Sequence, residues 1–156
     1  MKHIVVTTDF SADAESAFGY AKELVQLMGK DTCNITLLKV VDEVIPSNIT
    51  FEFGLAITDR KSMVEKLHKH AEEKIKEIAE KHFAGFSFKT LVIDPVKPVY
   101  QEIVEFAKNH NAYLIVMSTH GRTGVKHFLL GSVAERVVRQ SPCPVMIVPV
   151  QSSKSI

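Results

Sequence analysis

Two short segments carry the residue types that could do chemistry. The first is Thr7-Thr8-Asp9-Phe10-Ser11, in which a carboxylate follows a β-branched run. An aspartate so placed can accept hydrogen bonds from a ribose hydroxyl or a base amino group; the plainer alternative is a turn carboxylate near the start of a helix. The second is Met117-Ser118-Thr119-His120-Gly121-Arg122-Thr123-Gly124, continued by Leu129-Leu130-Gly131-Ser132-Val133-Ala134-Glu135. Gly121 and Gly124 let the backbone turn sharply and approach a ligand closely. Gly131-Ser132 opens a helix, and Ser132 with Glu135 has capping-box spacing. The free N–H groups and positive dipole end of such a helix favour phosphate. Arg122 and Lys126 could add positive charge, or could equally point to water. The competing reading is a glycine-containing loop ahead of an ordinarily capped helix.

Neither a Walker A motif nor the G-x-G-x-x-G fingerprint is present, so a P-loop nucleotidase and a standard dinucleotide fold do not fit. His120 beside Ser118 could be drawn as a Ser–His pair oriented by Asp9, but no G-x-S-x-G elbow supports a hydrolase. A loop histidine near phosphate, or a solvated one, is the simpler role. His68 and His70, and His82 and His110, lack metal-ligand spacing, and no metal site built of protein ligands is expected.

The elements that must position these segments alternate strand with helix. His3–Thr8 is a β-branched run read as a buried strand. Ala14, Ala17, Phe18, Ala21, Leu24, Val25 and Met28 then recur at helical spacing, with Ser11 as N-cap and Gly29 as terminator. Strands follow at Ile35–Val41, Phe86–Ile93, Tyr113–Met117 and Pro144–Val148. A second helix ends at Gly85 and turns Met63, Leu67, Ala71, Ile75 and Ile78 to one face. A third takes Pro98 into its first turn and faces Val99, Ile103, Phe106 and Ala107 inward. A short last helix spans Ser132–Gln140. Residues 42–58 are irregular, a lid over the ligand or part of an interface, and the polar tail 151–156 is expected to be disordered. This alternation predicts one doubly wound α/β domain over residues 1–150 with a parallel sheet, its ligand beyond the carboxyl ends of the strands. The two segments meet if the first and fourth strands are neighbours there.

The composition narrows the function classes. Lys plus Arg number 19 against 18 Asp plus Glu, a net charge of +1, which supplies no basic field for nucleic acid or a membrane surface. The two cysteines, Cys33 and Cys143, are too few and too distant for a disulfide framework, and buried or inert thiols suit a reducing compartment. With no signal-peptide pattern and no apolar run of membrane-spanning length, a cytoplasmic protein is expected.

Taken together, strand-Thr-Asp-Phe-Ser, Val-Val-Asp after the second strand, the glycine loop with Gly-Ser-Val-Ala-Glu, and the closing Ser-Pro-Cys-Pro-Val resemble the universal stress protein family from His3 to Pro149. That resemblance implies a five-stranded sheet of order 3-2-1-4-5 and a homodimer through the last strand, Val145–Val148. It also implies ATP or a related adenine nucleotide, with Mg²⁺. Nucleotide-binding members carry G-x2-G-x9-G-[ST]; Gly121 and Gly131-Ser132 match its second half, and Ser118 stands at its first glycine. By the same resemblance Asp9 and the backbone around Val40 would hold adenine and ribose, with Thr7 and Thr8 lining that side and Met117 nearby. Gly121, Gly131, Ser132 and Val133 would surround the phosphates. Thr7 stands where proline is common. Ser118 adds a side chain where backbone would approach phosphate, or a hydroxyl that could bond to it. Three roles stay open: a nucleotide-dependent switch with slow or no hydrolysis, a genuine ATPase, or a nucleotide-free dimer acting as an interaction module.

Overall fold

The computed structural model describes residues 1–41, 57–119 and 130–150. In chain order these form β1 (Lys2–Thr7), α1 (Ala12–Met28), a 3₁₀ turn (Lys30–Thr32), β2 (Cys33–Val40), α2 (Ile57–Phe83), β3 (Phe88–Ile93), α3 (Val99–Asn109), β4 (Leu114–Ser118), α4 (Ser132–Gln140) and β5 (Val145–Val148). The strands make one sheet of order β3-β2-β1-β4-β5, every neighbouring pair parallel. The chain winds outward from β1 to β3, then crosses to β4 and β5. β1 and β4 are therefore neighbours from which the crossovers diverge, and a crevice opens at their carboxyl ends.

Alternation along each strand divides the core in two, as a sheet covered on both faces requires. Ile4 and Val6 of β1 join Cys33, Ile35 and Leu37 of β2 beneath α1 and α2, where Phe18, Val25, Ile75, Ala79 and Phe83 pack. Val5, Leu38, Val40, Ile115 and Met117 face the other way, against Ile103, Phe106 and Ala107 of α3 and Ala134 and Val137 of α4. Ser11 caps α1 by accepting from the Ala14 amide, and Gly29, at φ 95°, ends it in a conformation that only glycine adopts without strain.

The structure departs from the sequence expectations at several places. Strand limits move by one or two residues, and α2 begins at Ile57, inside the stretch read as irregular. Met63 does not face the core: it is 41% exposed, because α2 starts beyond the edge of the sheet and its buried stripe begins at Ala71. Pro98 is the N-cap of α3, outside its first turn. Ser132 is the first helical residue of α4, and the cap position is Gly131, which has no side chain to cap it. The expected Ser132–Glu135 capping box is not formed, since Ser132 is already helical and does not occupy the cap position from which its hydroxyl would accept the amide three residues on; Glu135 instead pairs with Arg139 at 3.1 Å. Residues 42–56 and the tail 151–156 lie outside the described residues.

Candidate functional site

At the end of β1 the chain makes two interlocked turns closed by side chains. Thr8 Oγ1 accepts from the Phe10 amide at 3.0 Å. Asp9 Oδ1 accepts from the Ser11 amide at 2.9 Å and from the Ser11 hydroxyl at 2.5 Å. These bonds hold Phe10 at φ 66°, a left-handed conformation that costs a non-glycine residue about 1–2 kcal/mol. The Phe10 ring lies 5.3 Å from Lys39 Nζ and 4.9 Å from Lys74 Nζ, and these cation–π contacts offset part of that cost. The result is a rigid corner that places Asp9 at the mouth of the crevice.

Across the crevice, Thr119 ties three elements together after β4. Its amide donates to the Val148 carbonyl at 2.9 Å, its carbonyl accepts from the Gly131 amide at 2.8 Å, and its Oγ1 accepts from the Val150 amide at 3.3 Å. This sets the start of α4 against the end of β4. The first amides of an α-helix have no partner within the helix, and Gly131 at the cap position has no side chain to supply one, so the opening turn of α4 is electrostatically receptive to an anion.

Between the two walls lies a cavity of about 250 Å³. Thr7, Thr8 and Asp9 line one side, Leu38, Lys39 and Val40 of β2 continue it, and Met117, Ser118 and Thr119 form its back. Gly131, Ser132, Val133 and Ala134 close the far side, and Val99 and Ile103 of α3 make an apolar lip. Among these residues Asp9 is the sole carboxylate and Lys39, 3% exposed, the sole cation. Among the described residues no group of three His, Cys, Asp or Glu side chains could hold a metal ion. The described cavity offers an acceptor at one end, helix amides at the other, and apolar walls between them.

Of the residues that the sequence singles out, Thr7, Thr8, Asp9, Val40, Met117, Ser118, Gly131, Ser132 and Val133 all line this cavity. His120, Gly121 and Arg122 lie outside the described residues, as do Gly124 and Lys126. Sequence reading missed Lys39, Val99 and Ile103 as lining residues, and Thr119 lay in the segment it singled out without being assigned a role. Lys39 did leave a signal, as the one charge in the apolar run Ile35–Val41. Val99 and Ile103 sit at ordinary helical core spacing, which carries no hint of a ligand.

Comparison with known proteins bears on what such a site belongs to. The sequence model of the Universal stress protein family matches residues 1–149. The chain belongs to the universal stress protein family. Universal stress protein MJ0577 of Methanocaldococcus jannaschii is 30% identical over 162 residues, covering 97% of each chain. The solved structure of MJ0577 superimposes with a TM-score of 0.77 at 31% identity, over 97% of this chain and 98% of that one. More distant universal stress proteins share the fold. One from Archaeoglobus fulgidus, solved in complex with dAMP, has a TM-score of 0.60 at 20% identity, covering 95% of this chain and 98% of its own. One from Arabidopsis thaliana with AMP bound has a TM-score of 0.56 at 17% identity, covering 100% and 97%.

Proposed function

We propose that this universal stress protein binds ATP or a related adenine nucleotide in the cavity between β1, β4 and α4, and acts as a nucleotide-dependent regulatory switch. The observation that carries the reading is the pairing, across one crevice, of the Asp9 carboxylate with the first turn of α4, whose cap residue is Gly131. A carboxylate accepts from ribose hydroxyls or a base amino group, and the helix start receives phosphate. The cavity is below the usual range of about 300–1,000 Å³ for small-molecule pockets, a size that suits base and ribose with phosphates lying along α4. The relatives solved with dAMP and AMP support an adenine ligand. Mg²⁺, which takes most of its ligands from phosphates and water, needs few protein groups here, and Ser118 and Ser132 line the phosphate end.

The same reading includes a cytoplasmic homodimer. β5 is an edge strand whose Val145, Met146 and Ile147 are only partly buried, a surface suited to a second copy, and neither cysteine forms a disulfide. A second reading, a nucleotide-free dimer, is favoured by one observation: Ser118 lines the cavity, at the position for which the family resemblance implies glycine.

Protein purified without added nucleotide and then denatured should release stoichiometric adenine nucleotide, seen by mass spectrometry, or should bind Mg-ATP by calorimetry. Asp9→Ala should lose affinity at least tenfold, the scale of a lost hydrogen bond to a charged group. Ser118→Gly should strengthen binding if the serine obstructs phosphate. Wild-type protein that carries no nucleotide and binds none would establish the second reading.

A further inference from the structure

Ser11 performs two tasks with one hydroxyl. Its oxygen accepts the Ala14 amide at 3.2 Å, which caps α1, while its proton is donated to Asp9 Oδ1 at 2.5 Å. The tasks do not compete, because one uses a lone pair and the other the hydrogen. The Ser11 amide reaches the same Asp9 oxygen at 2.9 Å, so two donors converge on Oδ1. They converge because Phe10, at φ 66°, curls the chain back on itself. The Asp9 side chain is thereby tied to the first turn of a helix, and α1 is itself fixed to the sheet by Ala17, Phe18 and Ala21.

We propose that Ser11 is the positioning residue of this cavity: through its hydroxyl it fixes the Asp9 carboxylate in the orientation that receives the ligand. The proposal rests on the nucleotide reading above and deepens it. A carboxylate offers only acceptors, and the two Ser11 donors on Oδ1 set the direction in which they face. The group bound at Asp9 must accordingly present O–H or N–H, as a sugar hydroxyl or an exocyclic amine does, and a ligand with only acceptors there is rejected. Because the carboxylate is ordered before the ligand arrives, binding loses less conformational freedom than it would against a mobile aspartate.

Capping and positioning separate by substitution. Ser11→Thr keeps both the lone pair and the proton. Ser11→Asp keeps the cap, since aspartate is as good an N-cap as serine, but cannot donate to Asp9 and repels it. Ser11→Ala loses both. Uncharged adenosine is the main probe, so that the new carboxylate of Ser11→Asp has no phosphate to repel, and AMP is the second; urea unfolding reports the cap. Ser11→Thr should match wild type in affinity and stability. Ser11→Asp should keep the cap, losing stability only through its repulsion of Asp9, while binding adenosine about tenfold more weakly, the loss expected when a charged partner is left misplaced. In a double-mutant cycle Ser11→Ala should cost nothing further once Asp9 is alanine, because Ser11 acts through Asp9. Wild-type affinity in Ser11→Asp, or additive losses in the cycle, overturns the proposal while leaving the nucleotide reading standing. Wild-type protein that binds neither adenosine nor AMP overturns both.

Discussion

His3 shows how a single residue ties stability to pH. It lies at the amino-terminal end of β1, remote from the cavity and 8% exposed. Its Nε2 is 2.7 Å from Thr36 Oγ1 and its Nδ1 3.2 Å from the His110 carbonyl, an arrangement that suits a neutral ring donating from Nδ1 and accepting at Nε2. Burial lowers its pKa below the usual 6.5, and the nearby charges of Lys89 and His110 act in the same direction against the His110 carbonyl, which raises it. His82 is lowered too, by burial first, against Glu15. In both cases the unfolded chain takes up a proton more readily, so stability is full above pH 6.5 and falls as pH drops below it. His68 has the opposite sign. Its Nδ1 lies 2.8 Å from Asp94 Oδ2, that bond raises its pKa, and its contribution is present below 6.5 and lost as pH rises through the raised value. Urea unfolding of His3→Gln between about pH 5 and 6.5 should therefore show a shallower acid decline than wild type, by at most about 1.4 kcal/mol per pH unit, the limit for one proton. An unchanged slope would remove His3 from this account.

At the scale of elements, the loop ends matter more than the helices they join. Thr119 gathers β4, β5 and α4 through its amide, its carbonyl and its hydroxyl. Thr119→Val keeps the shape and removes the acceptor for the Val150 amide, which should cost about 1 kcal/mol. Hydrogen exchange at Val150 should quicken while Val116, in the middle of the sheet, stays protected; equal loosening at both would mean that the hydroxyl serves global packing instead. The same scale explains Met63. α2 has 27 residues and rises about 1.5 Å per residue, whereas β2 has 8 residues at about 3.3 Å. The helix outruns the sheet, and its first turns have no strand to cover.

For the whole molecule, the two cores share the sheet and differ in what they serve. The face under α1 and α2 carries the large side chains Phe18 and Phe83 and no residue of the phosphate end. The face under α3 and α4 supplies Val40, Ile103, Met117 and Ala134, which both fill the core and line the cavity. Stability and binding are thus coupled on one face and separable on the other. The proposed dimer belongs to this scale as well. Sedimentation equilibrium should give a mass twice the 17.4 kDa of the chain, and a species that stays monomeric at high concentration would overturn pairing through β5.

How much of this was legible depends on how local the determining physics is. Thr7-Thr8-Asp9, Ser118 and Gly131-Ser132 could be found because strand ends and helix starts are written in short-range periodicity, and the topology of parallel sheets directs ligands to those ends. The Ser11 cap and the Gly29 terminator were legible for the same reason. Strand order was not; it came from family resemblance, since periodicity says what an element is and nothing of its neighbours. Tertiary structure alone decided that Lys39, Val99 and Ile103 share a cavity with Asp9, because β2 and α3 are brought there by crossovers. It also decided that Gly131, tied to Thr119, would be the cap of α4 in place of Ser132: a helix start is chosen by where the incoming chain is held, and β4 and β5 hold it.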